Sequence, residues 1–214
     1  MLKAALCLIG IVLIVCVAEV LYRRKILRGE YQRKFIHITS GTFIAFWPWL
    51  ISFKSIEVAG ALLVVGSVIN HWLKAFHYSS DLNRHTYGDI FFALAILLTS
   101  LATHNKLFFA LAILNMALAD GLAAVVGQKY GKNWRYMILT HTKTVIGSMT
   151  FWLISLCIFG VGLLFSPVLM PHYFLLILLL PPLLAILENF PGLGSDNIFV
   201  PIVVVLILNL ATRA

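Results

Sequence analysis

Eight apolar stretches leave this chain few ways to fold; they lie near residues 4–22, 35–53, 56–73, 89–103, 107–127, 144–165, 173–188 and 197–212. Most approach the roughly 20 residues that an α-helix needs to cross a bilayer, where the helix must satisfy its own backbone polar groups. The fourth and seventh are short, so the expectation is an all-α, polytopic integral membrane bundle of seven or eight transmembrane helices. Composition agrees: 61% of the 214 residues are hydrophobic and 11% charged, with mean hydropathy +0.98, too apolar for a water-soluble domain of this size. Short loops between the stretches leave no room for a separate catalytic domain. Residues 1–214 therefore read as one transmembrane catalytic domain, with any chemistry in the bundle and its loops.

The net charge of +8 is sorted by side rather than gathered into a nucleic-acid-binding face. With the N-terminus outside, one side holds Arg23, Arg24, Lys25, Arg28, Arg33, Lys34, Lys74, Arg84, Lys129, Lys132, Arg135 and Lys143. The other holds only Lys3, Lys54, Lys106 and Arg213. The positive-inside rule makes the first side cytoplasmic. Every acidic residue except Glu57 lies at or near that face, while the external segments FKSIE, THNK and SPVLMPH carry little chemistry. A cytoplasmic active site at the membrane surface follows. The first stretch is too long for a signal-peptide core and its basic flank comes after it, so it reads as a retained helix. Cys7, Cys16 and Cys157 are odd in number, lie within spans and lack CxxC spacing, which indicates neither a disulfide framework nor a zinc site.

Within the fifth stretch, ALADGLAAVVGQKYGK places Asp120 about seven residues before the helix exit, roughly 10 Å below the interface. A carboxylate near mid-bilayer costs about 2.5–3.5 kcal/mol and marks a functional site unless a helix–helix hydrogen bond explains it; Asn115 is the nearby candidate for such a bond. Ala119, Ala123, Gly127 and Gly131 recur every four residues, a small-residue stripe that allows close backbone approach. The basic loop that follows holds Lys129, Lys132 and Arg135, then Lys143, Thr144, Gly147 and Ser148. Ammonium groups, hydroxyls and glycine amides suit a polyphosphate. GQKYGKN is not a P-loop, being one residue short and lacking Ser or Thr after the lysine. Glu188, Asp196 and Asn197 flank a turn-rich segment, 188–197, and offer the hard oxygen ligands that Mg²⁺ takes. Lys34 and His37, three residues apart, share a helix face as an interfacial anchor or a substrate contact. Pro181-Pro182 is expected to break or kink the seventh span. Together, carboxylates, cations and small residues gather at headgroup depth on one side, as phosphoryl or nucleotidyl transfer to a lipid hydroxyl requires.

Four motifs occur in order: Arg33-Lys34-x-x-His37-x-x-x-Gly41, Ala119-Asp120-x-x-Ala123-x-x-x-Gly127-x-x-x-Gly131-Lys132, Lys143-Thr144-x-x-Gly147-Ser148 and Asp196-Asn197-x-x-x-Pro201. The pattern resembles the dolichol kinase, phytol kinase and yeast-type diacylglycerol kinase family of CTP-dependent lipid kinases, and more distantly phosphatidate cytidylyltransferase. The resemblance implies transfer of the γ-phosphate of CTP to a prenol, phytol or diacylglycerol hydroxyl with a divalent cation, Mg²⁺. It implies catalytic roles for Asp120, Lys143 and Asp196. Nucleotide binding would fall to Gly127, Lys129, Gly131, Lys132, Lys143, Thr144, Gly147, Ser148 and Asn197. Lys34 and His37 would contact the lipid, and Asp120, Glu188 and Asp196 would hold the metal. Many relatives carry an acidic residue where this chain has Ile146, so that carboxylate's role is absent here or supplied elsewhere. Two other functions stand beside this one: a cytidylyltransferase making a CDP-lipid, and a small ion-coupled transporter or scaffold. The partners expected are a lipid alcohol and a nucleotide within the membrane, with no nucleic acid, and a homo-oligomer is compatible with the class.

Overall fold

The computed structural model describes residues 2–73, 87–138, 141–189 and 195–213, with the backbone alone at His141. Lys74, His77, Arg84, His85 and the middle of the 188–197 segment, on which parts of the sequence reading fall, lie outside the described residues. Ten α-helices are described: α1 (Leu2–Arg23), α2 (Glu30–Ala45), α3 (Trp47–Leu50), α4 (Phe53–Leu73), α5 (Gly88–Ala102), α6 (Lys106–Leu114), α7 (Asp120–Tyr130), α8 (Val145–Gly162), α9 (Tyr173–Asn189) and α10 (Asp196–Ala211). Each apolar stretch has become a helix, so the all-α membrane bundle stands. Among the described residues, five helical segments are long and apolar enough to cross a membrane: Leu2–Arg23, Phe53–Leu73, Lys106–Tyr130, Val145–Phe165 and Pro167–Asn189. The helices Gly88–Ala102 and Asp196–Ala211 are apolar but shorter.

The segment Lys106–Tyr130 is the axis of the bundle. It is 67% buried over its most apolar window, against 22–28% for the other four long segments. One side of it, through Phe109, Ala110, Ile113 and Met116, packs on Ile11, Ile44, Trp47, Ile56 and Ile96 of α1 to α5. The other side, through Phe108, Leu111, Ala112, Ala119 and Ala123, packs on Phe151 and Phe159 of α8, Leu180 and Leu184 of α9, and Val204 and Val205 of α10. Two apolar cores thus clasp one helix, while the outward faces of α1, α4 and α9 expose Leu, Ile, Val and Phe as a lipid-facing surface does.

Small residues set how close the clasp comes. A Cβ at Gly41 of α2 would run into Cβ of Ala117 on the axis. At Gly147 a Cβ would stand 3.2 Å from the Ala123 carbonyl, so α7 and α8 also touch backbone to backbone. By contrast, nothing lies within 4 Å of a Cβ placed at Gly66 of α4. Gly41→Ala is therefore expected to destabilise the protein by about 1–3 kcal/mol through overpacking, with Gly66→Ala neutral or slightly stabilising. Thermal unfolding of the two variants in detergent checks the contrast.

Two elements differ from the sequence reading. The basic loop contains a hairpin, β1 (Arg135–Ile138) and β2 (His141–Thr144), antiparallel with Tyr136 opposite Lys143. Pro181 and Pro182 do not end α9, which runs from Tyr173 to Asn189. They remove two N–H donors, but the side chains of Leu180 and Leu184 are buried in the core on either side of the pair and hold the helix in place.

Candidate active site

Asp120 opens α7 directly after a turn of π-helix, Asn115–Ala119, in which the Asp120 N–H reaches back five residues to the Asn115 carbonyl. Side chains hold this wide turn. Asn115 Nδ2 donates to the Leu111 carbonyl at 2.9 Å, and Asn115 Oδ1 accepts from Ser155 Oγ of α8 at 2.6 Å. His37 Nε2 lies 2.9 Å from the Met116 carbonyl. A carbonyl only accepts, so Nε2 carries the hydrogen. The same nitrogen is 3.4 Å from Asp120 Oδ2, and Lys34 Nζ is 2.5 Å from that oxygen. Lys34, His37 and Asp120 are all buried. A buried carboxylate needs such a partner, because the cost of desolvating it alone is several kcal/mol. Lys34 and His37, expected to contact the lipid, are thus engaged by Asp120.

The hairpin brings a second cation. Because Tyr136 and Lys143 are cross-strand partners, their side chains leave the same face of the ribbon, toward the last turn of α9. The Lys143 ammonium pairs with the Glu188 carboxylate and donates to the Glu188 carbonyl at 3.2 Å. Tyr136 donates its hydroxyl hydrogen to Asn189 Oδ1 at 2.9 Å and meets the Ser148 hydroxyl, itself 3.3 Å from the same oxygen. Burial alone would lower the Lys143 pKa, but the Glu188 carboxylate beside it offsets this, and the net result is a pKa above the ordinary lysine value. The sign means that the stability drawn from this pair is fully present below the ordinary lysine range and is lost only as pH rises through the raised value.

The third member arrives from α10. Asp196 stands in its first turn, with Oδ1 accepting the Asn197 N–H at 3.1 Å. Asn197 Nδ2 donates to the Gly88 carbonyl at 2.9 Å, which locks the start of α10 against the start of α5. Asp120, Glu188 and Asp196 consequently each place a carboxylate oxygen within 4.8 Å of the other two. Three anions this close repel strongly and need cations among them. Lys34 and Lys143 supply two; among the described residues Asp196 makes no ion pair within 4.0 Å. Hard carboxylate oxygens converging from three helices suit a small divalent cation such as Mg²⁺. Asp196 is half-buried and the Lys143 side chain 24% exposed, so the trio is reached from this end of the bundle.

The remaining residues of the expected nucleotide loop are placed differently. Thr144 Oγ1 caps α8 by accepting the Gly147 N–H at 3.1 Å. Gly127, Gly131 and Gly147 surround that side chain, and a Cβ on Gly127 would stand 2.6 Å from Thr144 Oγ1. These glycines seat a threonine. Lys129 and Lys132 are exposed, Lys129 lying 5.1 Å above the Tyr130 ring. Ser148 belongs to the Tyr136–Asn189 contact, and Asn197 to the α5–α10 lock. Sequence reasoning missed Tyr136, Asn189 and the π-helical turn. The alternation in Arg-Tyr-Met-Ile before His-Thr-Lys-Thr was a strand signal for the first.

No family model matches the chain, and no solved structure matches it. The phytol kinase of Synechocystis sp. is 32% identical to it over 198 residues, which cover 88% of this chain and 82% of that one. The chain belongs to the phytol and polyprenol kinase family.

Proposed function

We propose that the protein is a lipid-alcohol kinase that moves the γ-phosphate of CTP to the hydroxyl of a prenol-type alcohol, phytol being the first candidate, at the cytoplasmic membrane face. The observation that carries this is the convergence of Asp120, Glu188 and Asp196 within 4.8 Å, flanked by the ammonium groups of Lys34 and Lys143. The relative's name supports the acceptor class, and the motif resemblance supports CTP as donor. The basic flank of α1 and α2 supports the cytoplasmic face.

Asp120, Glu188 and Asp196 are the residues that would hold Mg²⁺. When bound, the ion supplies charge neutralisation on the transferred phosphoryl group. Lys143, at the rim of the site, meets the phosphate oxygens first, and Lys34 closes the buried side. Asp196, which has no lysine partner among the described residues, orients the incoming hydroxyl and takes its proton. The lipid oxygen bonds to the γ-phosphorus as the bond to the β-phosphate oxygen breaks, and CDP leaves. The buried α2–α7 contact keeps water from competing as acceptor.

The test is a transfer assay with purified protein in nanodiscs, Mg²⁺, and CTP or ATP labelled at the γ-position, offered with phytol, a polyprenol or diacylglycerol. Label passing from CTP to phytol or a polyprenol is the expected result. Pyrophosphate release with a lipid phosphate as acceptor, and no labelled lipid, would replace the kinase by a cytidylyltransferase.

A further inference from the structure

If the carboxylate trio holds the metal, as the proposed function requires, then both of its lysines already stand where metal charge would go. Lys34 and Lys143 approach from opposite flanks, one from α2 and one from the hairpin, and each pairs with a different carboxylate. Three carboxylates against two ammonium groups leave the site with one negative charge in excess. A divalent cation entering alone would overshoot that balance and meet two ammonium groups at close range.

We infer that Lys143 is a resting counter-ion of the trio which transfers to phosphate oxygens when nucleotide binds, while Lys34 stays on Asp120, so that a divalent cation is held tightly only together with a polyphosphate. The polyphosphate resolves the conflict because it brings several negative charges. The Lys143 ammonium exchanges the Glu188 carboxylate for a phosphate oxygen, and the released carboxylate lone pair becomes available to the cation. Lys143 has room for this move: its side chain is 24% exposed and sits on a ribbon, whereas Lys34 is 5% exposed in a packed helix. The hydrogen bonds of Tyr136 and Ser148 to Asn189 keep the ribbon anchored on α9 while the lysine swings. Metal and nucleotide binding are then coupled through Lys143 and Glu188, and the coupling is reciprocal.

The experiment is Mn²⁺ binding followed by electron paramagnetic resonance on the full chain in nanodiscs, with and without the β,γ-methylene analogue of CTP. Wild type is expected to bind Mn²⁺ weakly alone and at least about 30-fold more tightly with the analogue. Lys143→Met is expected to bind Mn²⁺ alone about tenfold more tightly than wild type, equivalent to about 1.4 kcal/mol, and to lose most of the coupling. Lys143→Arg, which keeps the charge, should return to the wild-type pattern and controls for folding. Equal Mn²⁺ affinity with and without the analogue, unchanged in Lys143→Met, would overturn the inference while a positive transfer assay left the kinase standing. No Mn²⁺ binding in either condition, with lipid still labelled in the transfer assay, would overturn it by removing the metal from the trio. No Mn²⁺ binding and no lipid labelled would take down the inference and the kinase together.

Discussion

Asp120→Asn is expected to lower phosphoryl transfer by about three orders of magnitude, the scale on which one preorganised charge acts in a water-poor site. The same change leaves Lys34 buried without its partner, and breaking such a pair costs about 3–5 kcal/mol. Lost activity could then reflect lost folding, so a second variant separates the two. Lys34→Met combined with Asp120→Asn removes both charges at similar volume and should recover most of the thermal stability. It should not recover activity. Full turnover in Asp120→Asn would take the residue out of the chemistry, and recovery of activity in the double variant would reduce the pair to a structural contact.

The second large effect concerns the hairpin. Exchanging the partners, Lys143→Glu with Glu188→Lys, keeps an ion pair between β2 and α9 and moves the carboxylate away from the trio. Each single change should destabilise the protein, since it sets like charges face to face. The exchange should restore thermal stability yet leave transfer at least about a hundredfold below wild type. An active exchanged protein would show that the pair serves only to fasten the ribbon.

The helices were legible in the sequence because lipid imposes a length and a composition on anything that crosses it. Asp120 was legible for the same reason, as a carboxylate in a run of Ala, Leu and Val. Spacing placed Lys34 and His37 on one helix face, but a face does not name the helix opposite. The contact with Asp120 lies 86 residues away in sequence, and nothing local encodes it. The stretch 127–148 reads two ways. Its glycines, lysines and threonine have the composition of a phosphate cradle, and the same smallness serves equally to let α7 and α8 close around Thr144. Composition could not choose between the two uses, because each needs the backbone exposed at the same points. The prolines of α9 do not break their helix, because a helix-breaking rule taken from water weakens where the surrounding bundle holds the backbone.

The π-helical turn before Asp120 leaves no mark in composition, since one residue more or less per turn changes neither hydropathy nor charge. It does change phase. An added residue advances everything downstream by about 100° around the axis relative to an unbroken helix, given 3.6 residues per turn. The central helix therefore changes phase at Asn115–Ala119, between an α6 part embedded in the apolar cores and an α7 part that carries Asp120. Asn115, Ser155 and His37 act as the detent between them. In such a device the apolar half can be recut for lipids of another thickness or shape without turning the carboxylate away from its partners.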